Sequence, residues 1–251
     1  MKRRALIIGA SFPTVSENYL AGVNIDLDSY RNFLISPTGG AWIENEELFI
    51  LKNATKDNIK SMIKKLTDQK PDYSFVTFSG HGGADSPTQN YINTHDDQKM
   101  TVEELWINAP KRMLIVDACR KQAKFKVLME AARKAVAMDS FSDPTARKIL
   151  ARKLFAEALE DSPLEYCMAY SCSYNETAAD RGDIGGLFTS TLIRNSYEWA
   201  QNRRSEYRTI QKTMDAVKPL VSAAREDAKK QTPIFSRDRN KGNTYPFVIG
   251  A

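Results

Sequence analysis

Short apolar runs alternate along this chain with longer segments in which apolar residues recur every three or four positions. The runs have the length and β-branched content of buried strands, and the periodic segments are typical of helices packed on a sheet. The predicted strands span residues 5–9, 47–51, 73–79, 113–117, 165–171 and 231–236. The predicted helices span 23–34, 55–69, 101–107, 121–159, 187–203 and 206–229. The helix at 121–159 is interrupted at 140–144, and residues 84–100 are predicted to form a loop. This alternation predicts an α/β fold, a three-layer sandwich with a largely parallel central sheet flanked by helices.

Length and composition favour one globular domain over residues 1–251. The 251 residues are 42% hydrophobic and 27% charged, which excludes a disordered or fibrous chain. No apolar run reaches the roughly 20 residues that cross a bilayer, so we expect no membrane association. The three cysteines are odd in number and lack CxxC spacing, which predicts free thiols and, by default, a cytoplasmic protein.

The formal net charge of +5 comes from one part of the chain. Residues 120–153 hold ten cations and three anions, so this segment carries +7 and the remainder carries −2. A nucleic-acid-binding protein usually spreads its positive charge along a groove or a face. We therefore expect no nucleic-acid partner, and we interpret residues 121–162 as a basic helical insert.

Two predicted strands end in side chains suited to covalent catalysis. His81 follows the strand at 73–79 and is flanked by glycines, and Cys119 follows the strand at 113–117. Because the carboxyl ends of parallel strands meet at one edge of a sheet, we expect the two side chains to lie close together. A cysteine nucleophile needs a nearby base, and the amides of Gly82 and Cys119 could stabilise an oxyanion. Each residue alone is more often structural, but the pair predicts a catalytic site.

The motif Ser-Gly-His-Gly at 79–82, followed by Asp-Ala-Cys-Arg at 117–120, resembles those of the caspase-like cysteine peptidases, and more closely those of bacterial and metacaspase-type members. Further similar fragments follow the family's order at 22–26, 171–180, 186–189 and 231–236. The resemblance covers nearly the whole chain and implies the caspase-hemoglobinase fold. It implies a large-subunit-like part at 1–120, a linker at 121–162 and a small-subunit-like part at 163–251.

The resemblance also implies an endopeptidase that works through an acyl-enzyme, with Cys119 as nucleophile and His81 as acid and base. Gly82 would contribute an oxyanion-hole amide. In metacaspase-type relatives an acidic pocket accepts Arg or Lys before the scissile bond. The matching positions here are Asp117, Asp26 and Asp180, with Cys172 as a further lining residue. The alternative is that Asp26 caps its own helix and Asp180 lies in a turn.

The residues after the nucleophile depart from the metacaspase pattern. His-Ser-Gly is usual there, whereas this chain has Arg-Lys-Gln at 120–122, which puts the wall on the leaving-group side in question. The basic insert offers sites that an Arg- or Lys-specific peptidase would cut in its own chain. Examples are Arg147, Lys148, Arg152 and Lys153. The alternative is a solvated helix that resists cleavage.

The chain predicts no cofactor. With only two histidines there is no zinc constellation. Calcium dependence occurs among metacaspase relatives, but the pair Asp96 and Asp97 falls short of the 6–8 oxygens that calcium takes, so calcium is kept only as an alternative. The strand at 5–9 is not followed by a glycine-rich phosphate loop, which argues against a nucleotide-binding domain.

The expected partner is a protein substrate. By analogy with bacterial relatives, this substrate is a pore-forming or other effector protein in a defence or cell-death pathway. A catalytically silent caspase-like module that binds or scaffolds partners is the alternative to an enzyme.

Overall fold

The computed structural model describes residues 1–12, 16–120, 144–225, 229–238 and 242–251. The strands are β1 (Arg3–Ala10), β2 (Leu48–Lys52), β3 (Tyr73–Gly80), β4 (Gly82–Ala84), β5 (Asn90–Asn93), β6 (Lys99–Thr101), β7 (Lys111–Asp117), β8 (Tyr166–Tyr170), β9 (Glu206–Thr209), β10 (Ile234–Arg237) and β11 (Pro246–Gly250). The helices are α1 (Gly22–Ile35), α2 (Lys56–Thr67), α3 (Pro144–Glu160), α4 (Leu187–Ala200) and α5 (Ile210–Ala223). Two short 3-10 helices span Val102–Leu105 and Gly182–Ile184.

Six strands form the central sheet in the order β10-β8-β7-β3-β1-β2. Five of them are parallel, and β10 runs antiparallel to β8 at the edge. Two small antiparallel sheets, β4-β5-β6 and β9-β11, lie outside the central sheet. The neighbours β3 and β7 are in register to their ends, where Ser79 pairs with Asp117.

The central sheet buries both of its faces, as the continuous apolar runs predict. Ala5 and Ile7 of β1 join a hydrophobic cluster with α1, α3, α4 and α5, whereas Leu6 and Ile8 join a second cluster with α2 and the β4–β6 sheet. The predicted α/β sandwich with a largely parallel sheet is therefore confirmed. None of the helices in the described ranges is long and apolar enough to cross a membrane.

The prediction of one helix over 206–229 is wrong at its start. Residues 206–209 form β9, which pairs with β11, and α5 begins only after Thr209. The Thr209 side chain accepts a hydrogen bond from the Lys212 amide, which caps the helix there. Pro219 lies inside α5 without ending it. The predicted loop at 84–100 likewise contains the last residue of β4, all of β5 and part of β6, whose short runs have no strong alternation.

The described part of the basic insert is α3, and it packs on the core. Ala151 and Phe155 belong to the first hydrophobic cluster. Arg152 donates to both carboxylate oxygens of Glu47, at 2.8 and 2.9 Å, and Arg3 lies 3.2 Å from the same carboxylate. This three-residue network joins α3 to the region between α1 and β2. The remaining residues of the predicted helix, 121–143, lie outside the described residues.

Glu47→Gln is expected to lower the free energy of unfolding at pH 7 by about 3 kcal/mol. Burial raises the pKa of Glu47, but the hydrogen bonds from Arg152 and Arg3 have a larger, opposite effect and lower this pKa to about 2. The wild type therefore gains this stability above the unfolded pKa of about 4.3 and loses it as the pH falls toward 2. Denaturant unfolding between pH 2 and pH 7 measures the difference. The exposed neighbour Glu46 provides the control, and equal stability of Glu46→Gln and Glu47→Gln would contradict the prediction.

Candidate active site

The ends of β3 and β7 bring His81 and Cys119 to the same edge of the central sheet. Each residue lies two positions beyond the last register pair, Ser79 with Asp117. Gly82 packs directly on the turn that holds the cysteine. A Cβ atom at position 82 would lie only 2.9 Å from the Cβ of Ala118, so the close approach needs glycine. The predicted nucleophile, base and oxyanion-hole residue are therefore neighbours.

His81 is buried and held in a defined orientation. Its Nε2 lies 2.5 Å from the carbonyl oxygen of Asn18, and its ring packs on Phe12 with the centroids 4.8 Å apart. Because a carbonyl oxygen can only accept, Nε2 carries the proton and Nδ1 is the basic nitrogen of the neutral ring. Burial lowers the pKa of His81, whereas the Asn18 carbonyl and the charge of Asp180 raise it. The ring is therefore neutral at pH 7 and suited to accept a proton.

Cys119 is half-buried, and its Sγ lies 3.7 Å from the carbonyl oxygen of Ala178. Burial raises the pKa of this thiol, and the charge of Asp117 raises it further. The resting cysteine is therefore protonated at pH 7. It needs a base to become a nucleophile.

Two predicted pocket residues, Asp26 and Asp117, meet beside the start of α4. Asp26 Oδ1 accepts from the Gly186 amide at 2.8 Å, and its Oδ2 accepts from Ser79 Oγ at 2.5 Å. Asp117 Oδ2 accepts from Thr189 Oγ1 at 2.7 Å. A Cβ atom at Gly186 would lie 2.5 Å from Asp117 Oδ2 and 3.1 Å from Asp26 Oδ2, so both carboxylates converge on this glycine. We refer to Asp26 and Asp117 as the acidic pair.

Both carboxyl groups of the acidic pair are buried, and their pKa values are raised. Asp26 is 2% exposed and Asp117 is 5% exposed. Burial raises the pKa of Asp26, and the neighbouring charge of Asp117 raises it further. Burial also raises the pKa of Asp117, against the hydrogen bonds from Thr189. The N-terminus of α4 offsets part of this charge through its amides and its dipole. A cation placed beside the pair would stabilise the ionised carboxylates further.

Asp26 does not cap its own helix, because it lies within α1 and bonds to Gly186 instead. Asp180 pairs with Gly186 in an isolated β-bridge, and its carboxylate accepts from the amides of Gly22 and Gly182 at 3.3 and 3.0 Å. Its charge raises the pKa of His81 and the pKa values of Asp26 and Asp117.

Cys172 is fully buried next to the nucleophile turn. Its Sγ lies 3.4 Å from the Ala118 carbonyl oxygen and 3.5 Å from that of Glu176. Burial raises its pKa far above that of an ordinary thiol, so Cys172 stays neutral. Its contribution to the pocket wall stays a prediction.

Arg120 was expected only as a departure from the family pattern, and the structure shows what it contacts. It is 4% exposed, and its guanidinium lies 4.3 Å from the centre of the Tyr170 ring. Nε donates to Asn90 Oδ1 at 2.8 Å, and Nη2 donates to the Pro87 carbonyl at 3.1 Å. Arg120 therefore ties the β4–β5 hairpin, which begins at Gly82, to the nucleophile turn.

Asp96, one of the two residues considered for calcium binding, accepts hydrogen bonds from neighbouring residues. Its carboxylate accepts from Thr94 Oγ1 at 2.6 Å, from Gln98 Nε2 at 2.7 Å and from the Lys56 amide at the start of α2. Across the described ranges, no group of three or more His, Cys, Asp or Glu side chains could hold a metal ion. Calcium at Asp96 and Asp97 stays an untested alternative.

Sequence reasoning missed two residues near the nucleophile, Arg225 and Gln231. Both contact the segment that carries Ala178. Gln231 lies in the family-like fragment at 231–236, which could have pointed to it, whereas Arg225 lies in no motif.

Comparison with known proteins identifies the fold and the family. No curated protein matches the sequence. Among solved structures, caspase-1 from Spodoptera frugiperda superposes with a TM-score of 0.62 over 94% of this chain and 88% of that chain, at 15% identity. At this identity the likeness shows the shared fold alone. The caspase-domain family of C14 peptidases matches residues 2–245. Because the match spans nearly the whole sequence, this chain belongs to the caspase-domain family of cysteine peptidases.

Proposed function

We propose that the protein is a cysteine endopeptidase that hydrolyses peptide bonds after Arg or Lys. The observation that carries this proposal is the acidic pair, Asp26 and Asp117, which meets at Gly186 at the same sheet edge as the nucleophile. The protein substrate is proposed to be a partner, such as a pore-forming effector of a defence or cell-death pathway.

In the proposed reaction, Nδ1 of His81 takes the proton from Cys119, and the thiolate attacks the scissile carbonyl carbon. The amides of Gly82 and Cys119 stabilise the oxyanion, and each such donor is worth roughly 3–4 kcal/mol. His81 then gives the proton to the leaving amine, which departs and leaves the acyl-enzyme. Water attacks the acyl group with His81 as base, and the free thiol is restored.

The acidic pair explains the proposed preference for a basic residue before the scissile bond. Its two buried carboxylates repel each other and would gain from a guanidinium or ammonium between them. A substrate aspartate would instead add a third negative charge beside the pair. The site therefore favours Arg or Lys and rejects the side chain that animal caspases select.

A panel of fluorogenic peptides that differ only in the residue before the scissile bond tests the specificity. The Arg and Lys peptides are expected to have kcat/KM values at least about 100-fold above that of the Asp peptide, because one charge contact of this kind is worth a few kcal/mol. An Asp peptide hydrolysed faster than the Arg peptide would overturn the proposed specificity. No hydrolysis of any peptide, together with no covalent labelling of Cys119 by an Arg-based acyloxymethyl ketone, would favour the scaffold module.

The proposal includes self-processing in the basic insert, and the fold limits where this cleavage can occur. Arg147, Lys148, Arg152 and Lys153 all lie within α3. A peptidase binds its substrate in an extended form, so cleavage there requires α3 to unfold first. Arg152 is also held by Glu47. We therefore favour the cations that precede α3, which lie outside the described residues: Lys121, Lys124, Lys126, Arg133 and Lys134.

A further inference from the structure

A segment without regular secondary structure, residues 177–179, passes directly beside the nucleophile. The carbonyl oxygen of its central residue, Ala178, lies 3.7 Å from Cys119 Sγ. All three residues are half-buried. We refer to residues 177–179 as the active-site segment. Its position relative to Cys119 depends on what holds its other peptide groups.

Arg225, which follows α5, holds the first residue of the active-site segment. Nη1 donates to the Thr177 carbonyl oxygen at 3.1 Å, and Nη2 donates to Thr177 Oγ1 at 3.0 Å. Nη1 also donates to Gln231 Oε1 at 2.9 Å. One planar guanidinium thus bridges three acceptors, which the single ammonium of a lysine could not reproduce.

Gln231 holds the last residue of the active-site segment. It is 1% exposed, and its Oε1 accepts from the Ala179 amide at 3.0 Å. Its Nε2 donates to the Ser171 carbonyl oxygen at 3.2 Å, which fixes the orientation of the amide. Arg225 and Gln231 therefore fix the peptide groups on both sides of Ala178.

The charge of Arg225 also acts on the nucleophile. Among the described residues, the titratable and charged groups around Cys119 include His81 after β3, Asp117 on β7, the neighbouring Arg120, Cys172 after β8, and Arg225 and Lys229 after α5. Burial and the charge of Asp117 raise the pKa of Cys119, whereas Arg225 and Lys229 lower it. Arg225 also contacts the active-site segment directly, through the Thr177 carbonyl oxygen.

We propose that Arg225 is a positioning residue for the peptidase reaction, which fixes the active-site segment beside Cys119 through its contacts with Thr177 and Gln231. This inference rests on the proposed peptidase function. The contacts of Arg225 and its positive charge can be tested separately. Arg225→Lys keeps the charge but loses the planar set of donors, whereas Arg225→Gln loses both.

The test uses the full-length chain and two measurements. The first is the rate of iodoacetamide alkylation of Cys119 between pH 5 and pH 10, followed by peptide mass spectrometry, which reports the thiolate without requiring turnover. Arg225→Gln is expected to shift this profile upward by about 0.5 pH unit and to slow alkylation about threefold at pH 7. Arg225→Lys is expected to keep the wild-type profile.

The second measurement is kcat/KM for an Arg peptide, which is expected to fall about tenfold or more in both variants because the active-site segment is no longer held. Arg208→Gln is the matched control. Arg208 is buried and donates to Asn195 Oδ1 at 3.0 Å and to the Lys212 carbonyl at 2.9 Å, beside the far end of α4. We expect wild-type alkylation and kcat/KM in this control, with Tm measured for all variants.

A wild-type alkylation profile and kcat/KM in Arg225→Gln would overturn the inference. Equal losses in Arg225→Gln and Arg208→Gln, in proportion to Tm, would overturn it as well, because they would indicate general destabilisation. Absence of peptide hydrolysis by the wild type would instead contradict the proposed function, and the alkylation profiles would still test the effect of Arg225 on the thiol.

Discussion

Replacing Cys119 with alanine is expected to lower the rate of peptide hydrolysis by about 10⁴-fold or more, because no other group can form the acyl-enzyme. Cys119 is the thiol that lies beside His81 and Gly82. Hydrolysis of an Arg peptide and labelling by an Arg-based acyloxymethyl ketone both measure the loss. Cys167→Ala is the control, since Cys167 is a fully buried core residue of β8. Hydrolysis by Cys119→Ala at a rate near that of the wild type would exclude Cys119 as nucleophile.

Comparison of the wild type with Cys119→Ala also tests self-processing. If the wild type cuts its basic insert, its intact mass is expected to split into two fragments, whereas Cys119→Ala stays whole. The new terminus is expected to follow a Lys or Arg before α3, because the packing of Ala151 and Phe155 opposes unfolding of that helix. The fragments are expected to stay associated, since Arg152 and Glu47 join them. Identical intact masses of both proteins after prolonged incubation would end the proposal of self-processing.

The sequence predicted the parts of this fold that depend on local pattern. The runs that form β3 and β7 are short, apolar and followed by glycine or alanine, so their ends and the positions of His81 and Cys119 could be located. Residues 206–209 are polar or aromatic and form no apolar run, so the local pattern does not indicate a strand there. Their strand exists because β11, whose residues lie 37 to 44 positions further along the chain, pairs with them. Such a partner is tertiary information that a local pattern lacks.

The candidate active site also has residues that the sequence could predict and residues that it could not. The family resemblance points to Asp26 and Asp117, whereas their proximity depends on the packing of both carboxylates against Gly186, which is 160 positions from Asp26. Arg225 could not be predicted, because its contacts with Thr177 and Gln231 depend on where α5 ends. A half-buried arginine without a motif cannot be distinguished from an ordinary surface arginine by sequence alone.

Substitutions in the acidic pair are expected to affect specificity and stability differently. Asp117→Asn is expected to lower kcat/KM for an Arg peptide by about 100-fold or more, because the substrate cation loses one of its two buried counter-charges. Asp26→Asn is expected to act in the same direction. Asp28→Asn is the matched control, since Asp28 lies exposed on α1 two positions from Asp26 and its loss removes the same charge.

Asp117→Asn is expected to keep or raise the stability of the fold at pH 8 while it lowers activity. Burial raises the pKa of both carboxyls in the folded state. The unfolded chain therefore releases these protons first, and the folded state loses stability as the pH rises from the unfolded value of about 3.9 to the raised folded value. Asp117→Asn removes this loss, so its Tm at pH 8 is expected to match or exceed that of the wild type. An Asp117→Asn protein that retains full activity on the Arg peptide would contradict the acidic pair as the specificity site. A protein that loses activity only in proportion to a lower Tm would assign Asp117 a structural role instead.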